Sequence, residues 1–312
     1  MTIENAVVVK SKTRLELLVE RFNTRQQGKF YIERAGGSFA DYEAEHDTYY
    51  ASLDEVQSNL SRVIKTRTIE RSFVPTYLFS ERDIVVVVGQ DGLVANTAKY
   101  VGGVPIIAIN PDINRYDGVL LPFTPKNCTK ALENVVSGRR YHFRDVTMAE
   151  AKLNDGQRLL AFNDLFVGAA SHVSARYGIS HRGIRQDHSS SGVIVSTAAG
   201  ATGWLSSIFN MTQEIVNTFY GEVSFTAKRL DWSADMLVYV VREPFLSKTS
   251  QTSLIAGEII ENEPLIIQSH MPANGVIFSD GIESDFVKFN SGASVTIATA
   301  SRKARLVMPY PR

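Results

Sequence analysis

The chain has 312 residues, roughly twice a typical domain, with 44% hydrophobic and 21% charged residues and a formal net charge of zero. That composition supports packed cores and argues against a nucleic-acid binder that works through a broad basic field. A single cysteine, Cys128, excludes an intrachain disulfide and any multi-cysteine zinc site.

No apolar run nears the ~20 residues of a membrane-spanning helix. The opening MTIENAVVVKSK lacks the apolar core of a secretory signal. A soluble, cytoplasmic protein without a membrane or nucleic-acid partner is expected. In chain order, AVVVK (6–10) reads as a short buried strand, and Leu15, Leu18, Val19 and Phe22 recur on one face of a helix. DYEAEHD (41–47) reads as an acidic surface run. Ser52 with Glu55 has the spacing of a capping box for a helix whose face carries Leu53, Val56, Leu60, Val63 and Ile64. DIVVVVG (83–89) is a strand buried on both faces; a glycine turn, a short helix (93–101) and the apolar strand VPIIAIN (104–110) follow. Strand, helix and strand with short connections imply a parallel α/β sheet.

Beyond LPFTPKN (121–127) the pattern changes. Apart from helices over 128–137 and after Thr202, the chain shows short strand-like runs at 158–168, 173–179, 192–197, 236–242, 264–269, 275–279, 285–289, 294–299 and 303–308. Such spacing suggests an antiparallel sheet or sandwich. An α/β domain over 1–125 and a mainly β-sandwich domain over 126–312 are expected, with the last strands returning to the first domain. His181 and His188 flank the hairpin HRGIRQDH and read as exposed. None of the six histidines has an HExxH-type spacing, so no protein-held metal site is expected.

The stretch VVVVGQDGLVANTAK (85–99) raises the question of function. In an open parallel sheet, ligands bind beyond the carboxyl ends of the strands. Gly89 and Gly92 let backbone approach a ligand, and a helix starting there favours a phosphate. Asp91 sits among these groups, although Asp-Gly is also a plain turn signal.

Four stretches in order carry a family resemblance: the GQDG loop, AFND (161–164), SGVIVSTAAGATGWLSS (191–207) and VIFSDG (276–281). They resemble the motifs of the NAD kinase family. INPDINRYDG (109–118), Ser190–Gly192 and VREPF (241–245) are similar to its plant NADH kinase and mitochondrial NAD kinase branch. The resemblance covers residue 84 onward. It implies an N-terminal Rossmann-like α/β domain with a C-terminal β-sandwich. The activity it implies is transfer of the ATP γ-phosphate to the adenosine ribose 2′-hydroxyl of NAD or NADH, with Mg²⁺, in a homodimer or homotetramer.

By the same resemblance Asp91 is the catalytic carboxylate, and Gly89, Gln90 and Gly92 form the nucleotide loop. Asn163 and Asp164 hold the dinucleotide, and Thr202 and Ser207 contact ligand. Trp204 stands where the family has tyrosine, either to stack on adenine or as a core residue. Three positions depart from the pattern. Gln90 replaces a glycine, which costs roughly 1–2 kcal/mol at any positive φ or supplies an amide to a phosphate oxygen. Leu93 replaces a threonine and cannot supply its hydroxyl; Ser191 replaces an aspartate. Two alternatives therefore stand beside the kinase: a catalytically weak or inactive dinucleotide sensor, and a kinase of the same superfamily acting on a lipid or other hydroxyl acceptor.

Overall fold

A computed structural model describes residues 3–138, 142–222 and 230–309. The chain divides into two compact units, one of residues up to 144 with the segment from 305 onward, the other of residues 145–304.

The first unit contains β1 (Asn5–Lys10), α1 (Arg14–Phe22), α2 (Arg25–Arg34), α3 (Phe39–Ser61), β2 (Lys65–Glu70), β3 (Asp83–Val88), α4 (Asp91–Ala98), β4 (Pro105–Ile109), α5 (Cys128–Val136) and β5 (His142–Val146). Its sheet runs β2-β1-β3-β4, then the C-terminal strand Ala304–Met308, then β5. Every pairing between β2 and that C-terminal strand is parallel. All six residues of β3 are buried, as a central strand covered on both faces requires. On one face Ala6, Val8, Ile84, Val86, Val88, Ile107 and Ile109 pack with Tyr49, Leu53, Val56 and Leu60 of α3 and with Cys128, Ala131, Leu132 and Val135 of α5. That packing moves the domain boundary expected at 125 to 144: α5 buries its apolar stripe on the first sheet and belongs to it.

Three local expectations fail here. Ser52 does not cap a helix, because α3 continues unbroken through it and its hydroxyl donates to the Pro111 carbonyl at 2.8 Å. The 41–47 run is not wholly a surface, since Glu45 is only 6% exposed and is ion-paired with Arg14 and Arg115. The helix expected from residue 93 begins at Asp91.

The second unit contains β6 (Ala149–Leu153), β7 (Arg158–Ala161), β8 (Asp164–Ala169), β9 (Ala175–His181), β10 (Ile184–Ser190), β11 (Val193–Ser196), α6 (Trp204–Tyr220), β12 (Met236–Val241), β13 (Ala256–Ile260), β14 (Leu265–Ser269), β15 (Gly275–Ser279), β16 (Ile282–Lys288) and β17 (Ser294–Thr299). Two six-stranded sheets form, β10-β9-β14-β17-β6-β7 and β13-β12-β11-β8-β15-β16. Alternate residues of both fill one core, among them Tyr177, Ile179, Leu165, Val167, Val193, Val195 and Tyr239, the period-two pattern of a sandwich. On the other face of the second sheet Phe166, Ile194 and Val276 pack with Trp204 and Ile208 of α6.

The α/β unit and the antiparallel sandwich match the fold class expected from the sequence. His181 and His188 do flank a hairpin, but they are 5% and 3% exposed. His181 lies in phase with Ala175, Tyr177 and Ile179, which face the core. No helix among the described residues is long and apolar enough to cross a membrane.

Candidate functional site

In the first unit β3 ends at Val88 and the chain turns at Gly89, whose amide donates to the Ile109 carbonyl at 3.3 Å. Gln90 is the N-cap of α4 with φ −93° and ψ 166°. Backbone of that kind suits any residue, so the positive-φ cost considered for a non-glycine at 90 does not arise. Gln90 is exposed, and its side chain lies near the Tyr116 hydroxyl, whose pKa burial raises and Gln90 partly lowers. Leu93 is buried and packs where a Cβ on Gly89 would lie, 2.8 Å from that position. The glycine at 89 is thus matched to the leucine at 93. A Cβ on Gly92 would meet no protein atom within 4 Å, so packing within the chain does not demand glycine there.

Asp91 occupies the first turn of α4, where the free amides of the helix end favour a negative charge. Its Oδ1 accepts the Leu120 backbone N–H at 2.6 Å. Leu120 is placed by the loop after β4. Asn110 Nδ2 donates to the Tyr116 carbonyl at 3.0 Å, and Asn110 Oδ1 accepts from the Asp112 amide at 3.0 Å. Gly118 adopts φ +66°, and a Cβ there would come within 2.6 Å of Asn110 Nδ2. One asparagine side chain therefore folds the loop, and a glycine at 118 is obligatory.

In the second unit Asn163 and Asp164 form the turn into β8. The Asp280 carboxylate accepts the amides of Phe162, Asn163 and Asp164 at 3.0, 2.6 and 3.2 Å. Asp280 itself has φ +53°, a conformation Asp tolerates better than most residues. From the other side the Thr197 hydroxyl donates to the Phe162 carbonyl at 2.6 Å, and the Thr197 amide to the Asn163 carbonyl at 2.8 Å. A Cβ on Gly200 would lie 2.3 Å from that carbonyl, so the segments close tightly. Asp164 Oδ1 is buried with no protein partner. Burial, with the Asp280 charge adding to it against a Ser196 hydrogen bond, pushes the Asp164 carboxyl up to about 7.

Thr202 ends a short 3₁₀ turn over Gly200–Thr202 and is exposed. Ser207 lies exposed in the first turn of α6, its hydroxyl donating to the Gly203 carbonyl at 3.3 Å. The Trp204 indole packs against Phe166, with ring centroids 5.8 Å apart at 11°, and the Arg242 guanidinium lies over it at 5.5 Å. These side chains, with Ser191, Phe278 and Phe286, line an open cavity.

The candidate residues therefore form two clusters. Gly89, Gln90, Asp91 and Gly92 gather in the first unit; Asn163, Asp164, Thr202, Trp204 and Ser207 lie in the second.

Comparison with known proteins bears on what the clusters belong to. No family model matches the sequence. An NAD kinase of Heliobacterium modesticaldum (strain ATCC 51547 / Ice1) is 31% identical over 133 residues, 39% of this chain and 44% of that protein. The aligned stretch is thus less than half of that relative. The crystal structure of yeast NADH kinase complexed with NADH superposes with a TM-score of 0.61 at 14% identity, over 99% of this chain and 84% of that one. An NAD kinase from Archaeoglobus fulgidus in complex with ATP superposes with a TM-score of 0.57 at 15% identity, over 97% and 93%. This chain has the NAD kinase fold. The resemblance to the NAD kinase family read from the motifs is thus one of sequence and of fold.

Within this NAD kinase fold, several residues that shape the two clusters escaped the sequence reading. Asp280 had a signal, the Asp-Gly after a strand in VIFSDG, yet its role as a triple acceptor depends on a turn 116 to 118 residues away. Leu120 contributes only a backbone amide, which leaves no mark on residue type.

Proposed function

We propose that the protein is an NAD(H) kinase, transferring the ATP γ-phosphate to the adenosine ribose 2′-hydroxyl of NAD or NADH. The observation that carries this reading is the Asp91 carboxylate, fixed in the first turn of α4 at the carboxyl end of β3 by a short bond from Leu120 N–H. A ribose hydroxyl is a weak nucleophile, and a positioned carboxylate accelerates its attack by accepting its proton as the bond to phosphorus forms. With Oδ1 held by Leu120, the second carboxylate oxygen takes that proton. The open space around Gly92 leaves the amides at the start of α4 accessible to phosphate oxygens.

Asp164 supports the dinucleotide half of the reading. A buried carboxyl oxygen without a partner costs free energy, and a ribose hydroxyl donating to it would remove that cost. Asn163, with its backbone braced from both sides, offers an amide that pairs with an adenine edge or a ribose hydroxyl. Magnesium, when bound with ATP, neutralises charge on the transferring phosphoryl group.

The test is a coupled assay with ATP, Mg²⁺ and either NAD or NADH, reading NADP(H) through a strictly NADP-dependent dehydrogenase. The expected outcome is turnover by the wild type and a loss of about 10²-fold or more in kcat for Asp91→Asn, the usual range for a general base. Binding of NADH without turnover would instead identify a dinucleotide sensor. Absence of both would turn attention to a different hydroxyl acceptor.

A further inference from the structure

The N-terminal helices, which lie outside the recognisable motifs, meet the Asp91 loop through α3. Asp41 and Glu45 stand one turn apart on that helix. Arg115, from the loop after β4, grips Asp41 with both terminal nitrogens, Nη2 to Oδ1 at 2.6 Å and Nη1 to Oδ2 at 3.3 Å, and approaches Glu45 at 3.7 Å. Arg14, at the start of α1, binds the same two carboxylates. Two more ties come from α3. The Tyr49 hydroxyl donates to the carbonyl of Val88, the last residue of β3, at 3.0 Å. The Ser52 hydroxyl donates to the Pro111 carbonyl at 2.8 Å.

Five residues beyond Arg115 is Leu120, whose backbone N–H donates to Asp91 Oδ1. We propose that Arg115, gripped by Asp41 and Glu45, is a positioning residue that latches the 110–121 loop and so holds the Asp91 carboxylate through Leu120 N–H, making α3 part of the catalytic scaffold. This rests on the reading of Asp91 as the base.

An isolated surface ion pair would contribute little. This one differs because the guanidinium is bidentate, because Glu45 is buried, and because the chain leading from Arg115 to Leu120 is short and bent at an obligatory glycine. Arg115 and Leu120 therefore do not move independently.

The experiment uses the full chain and two readouts. Amide hydrogen exchange at Leu120 reports the latch whether or not the enzyme turns over, and the coupled assay reports catalysis. Arg115→Gln is expected to speed Leu120 exchange and to lower kcat by about tenfold each, with the KM for ATP within about twofold, as misplacement of a catalytic group predicts. Arg115→Lys, which keeps charge but not the fork, should restore only part of either. Asp41→Asn keeps the shape of a half-buried helix residue and so guards against a folding artefact; it should move both readouts in the same direction by about threefold, since the charge that the Arg115 fork grips is lost. Unchanged Leu120 exchange in Arg115→Gln overturns the latch even if turnover falls. Faster exchange in a protein whose wild type transfers no phosphate supports the latch and overturns Asp91 as the base instead.

Discussion

At the scale of single residues, Gln90 shows how a departure from a motif is absorbed. A family glycine invites the inference that the position needs a left-handed backbone. Here φ is −93°, which any residue adopts, and the side chain is exposed. Reverting Gln90 to glycine would therefore relieve no strain. It would add conformational freedom to the unfolded chain, worth about 0.4–1 kcal/mol. Gln90→Gly is expected to lower stability by about 0.4–1 kcal/mol, seen as a drop in urea midpoint at unchanged slope. A rise in midpoint would mean that the glutamine is strained. Leu93 is the counterpart: its bulk occupies the Cβ space of Gly89, so the missing threonine hydroxyl is exchanged for packing.

At the scale of elements, what was legible in the sequence is what repeats locally. β3 announced itself by four consecutive valines, and the sandwich strands by alternation, because a two-sheet core selects every second side chain. The same alternation held the signal for His181, which is in step with Ala175, Tyr177 and Ile179; reading histidine as polar hid it. Glu45 had no local signal at all, since the guanidiniums that permit its burial come from Arg14 and Arg115, 31 and 70 residues away along the chain. Ser52 was misread for a related reason: its partner carbonyl is 59 residues distant. The candidate site divides in the same way. Asp91 and the Asn163-Asp164 pair sit in recognisable motifs, whereas the backbone amides and the Asp280 carboxylate that fix them are visible only in three dimensions. A tight joint lies between elements, where Gly200, leading into α6, touches the turn into β8. A methyl at Gly200 would sit 2.3 Å from the Asn163 carbonyl oxygen and 2.9 Å from its Cα, and these are backbone atoms that cannot rotate aside. Gly200→Ala is expected to cost about 1–3 kcal/mol in urea unfolding and to weaken NADH binding in a fluorescence titration. An unchanged affinity would mean that the Asn163 turn does not touch the dinucleotide.

At the scale of the whole molecule, buried titratable groups of opposite sense set how stability depends on pH. His181 and His188 are buried, each with one ring nitrogen lacking a protein partner. Burial lowers both from the ordinary 6.5. The unfolded chain then binds more protons than the native one as pH falls below about 6.5, so their effect is to withdraw stability on acidification. Asp164 acts the other way. Its carboxyl is raised from 3.8 to about 7, so the native chain holds a proton that the unfolded chain has released. Its contribution is full below about pH 4 and is lost as pH rises through about 7, a change of up to about 4 kcal/mol. The two slopes oppose each other just below about pH 6.5, which flattens the wild-type profile there. Replacing Asp164 by asparagine removes the second slope and leaves the first. The stability of Asp164→Asn relative to wild type should therefore be greater at pH 8 than at pH 5, and the variant alone should gain stability with rising pH through 6.5. Urea unfolding of both proteins at the two pH values measures the difference directly. A gap between variant and wild type that is the same at pH 5 and pH 8 would mean that Asp164 is already ionised at pH 5 and that burial and the Asp280 charge do not raise its carboxyl in solution.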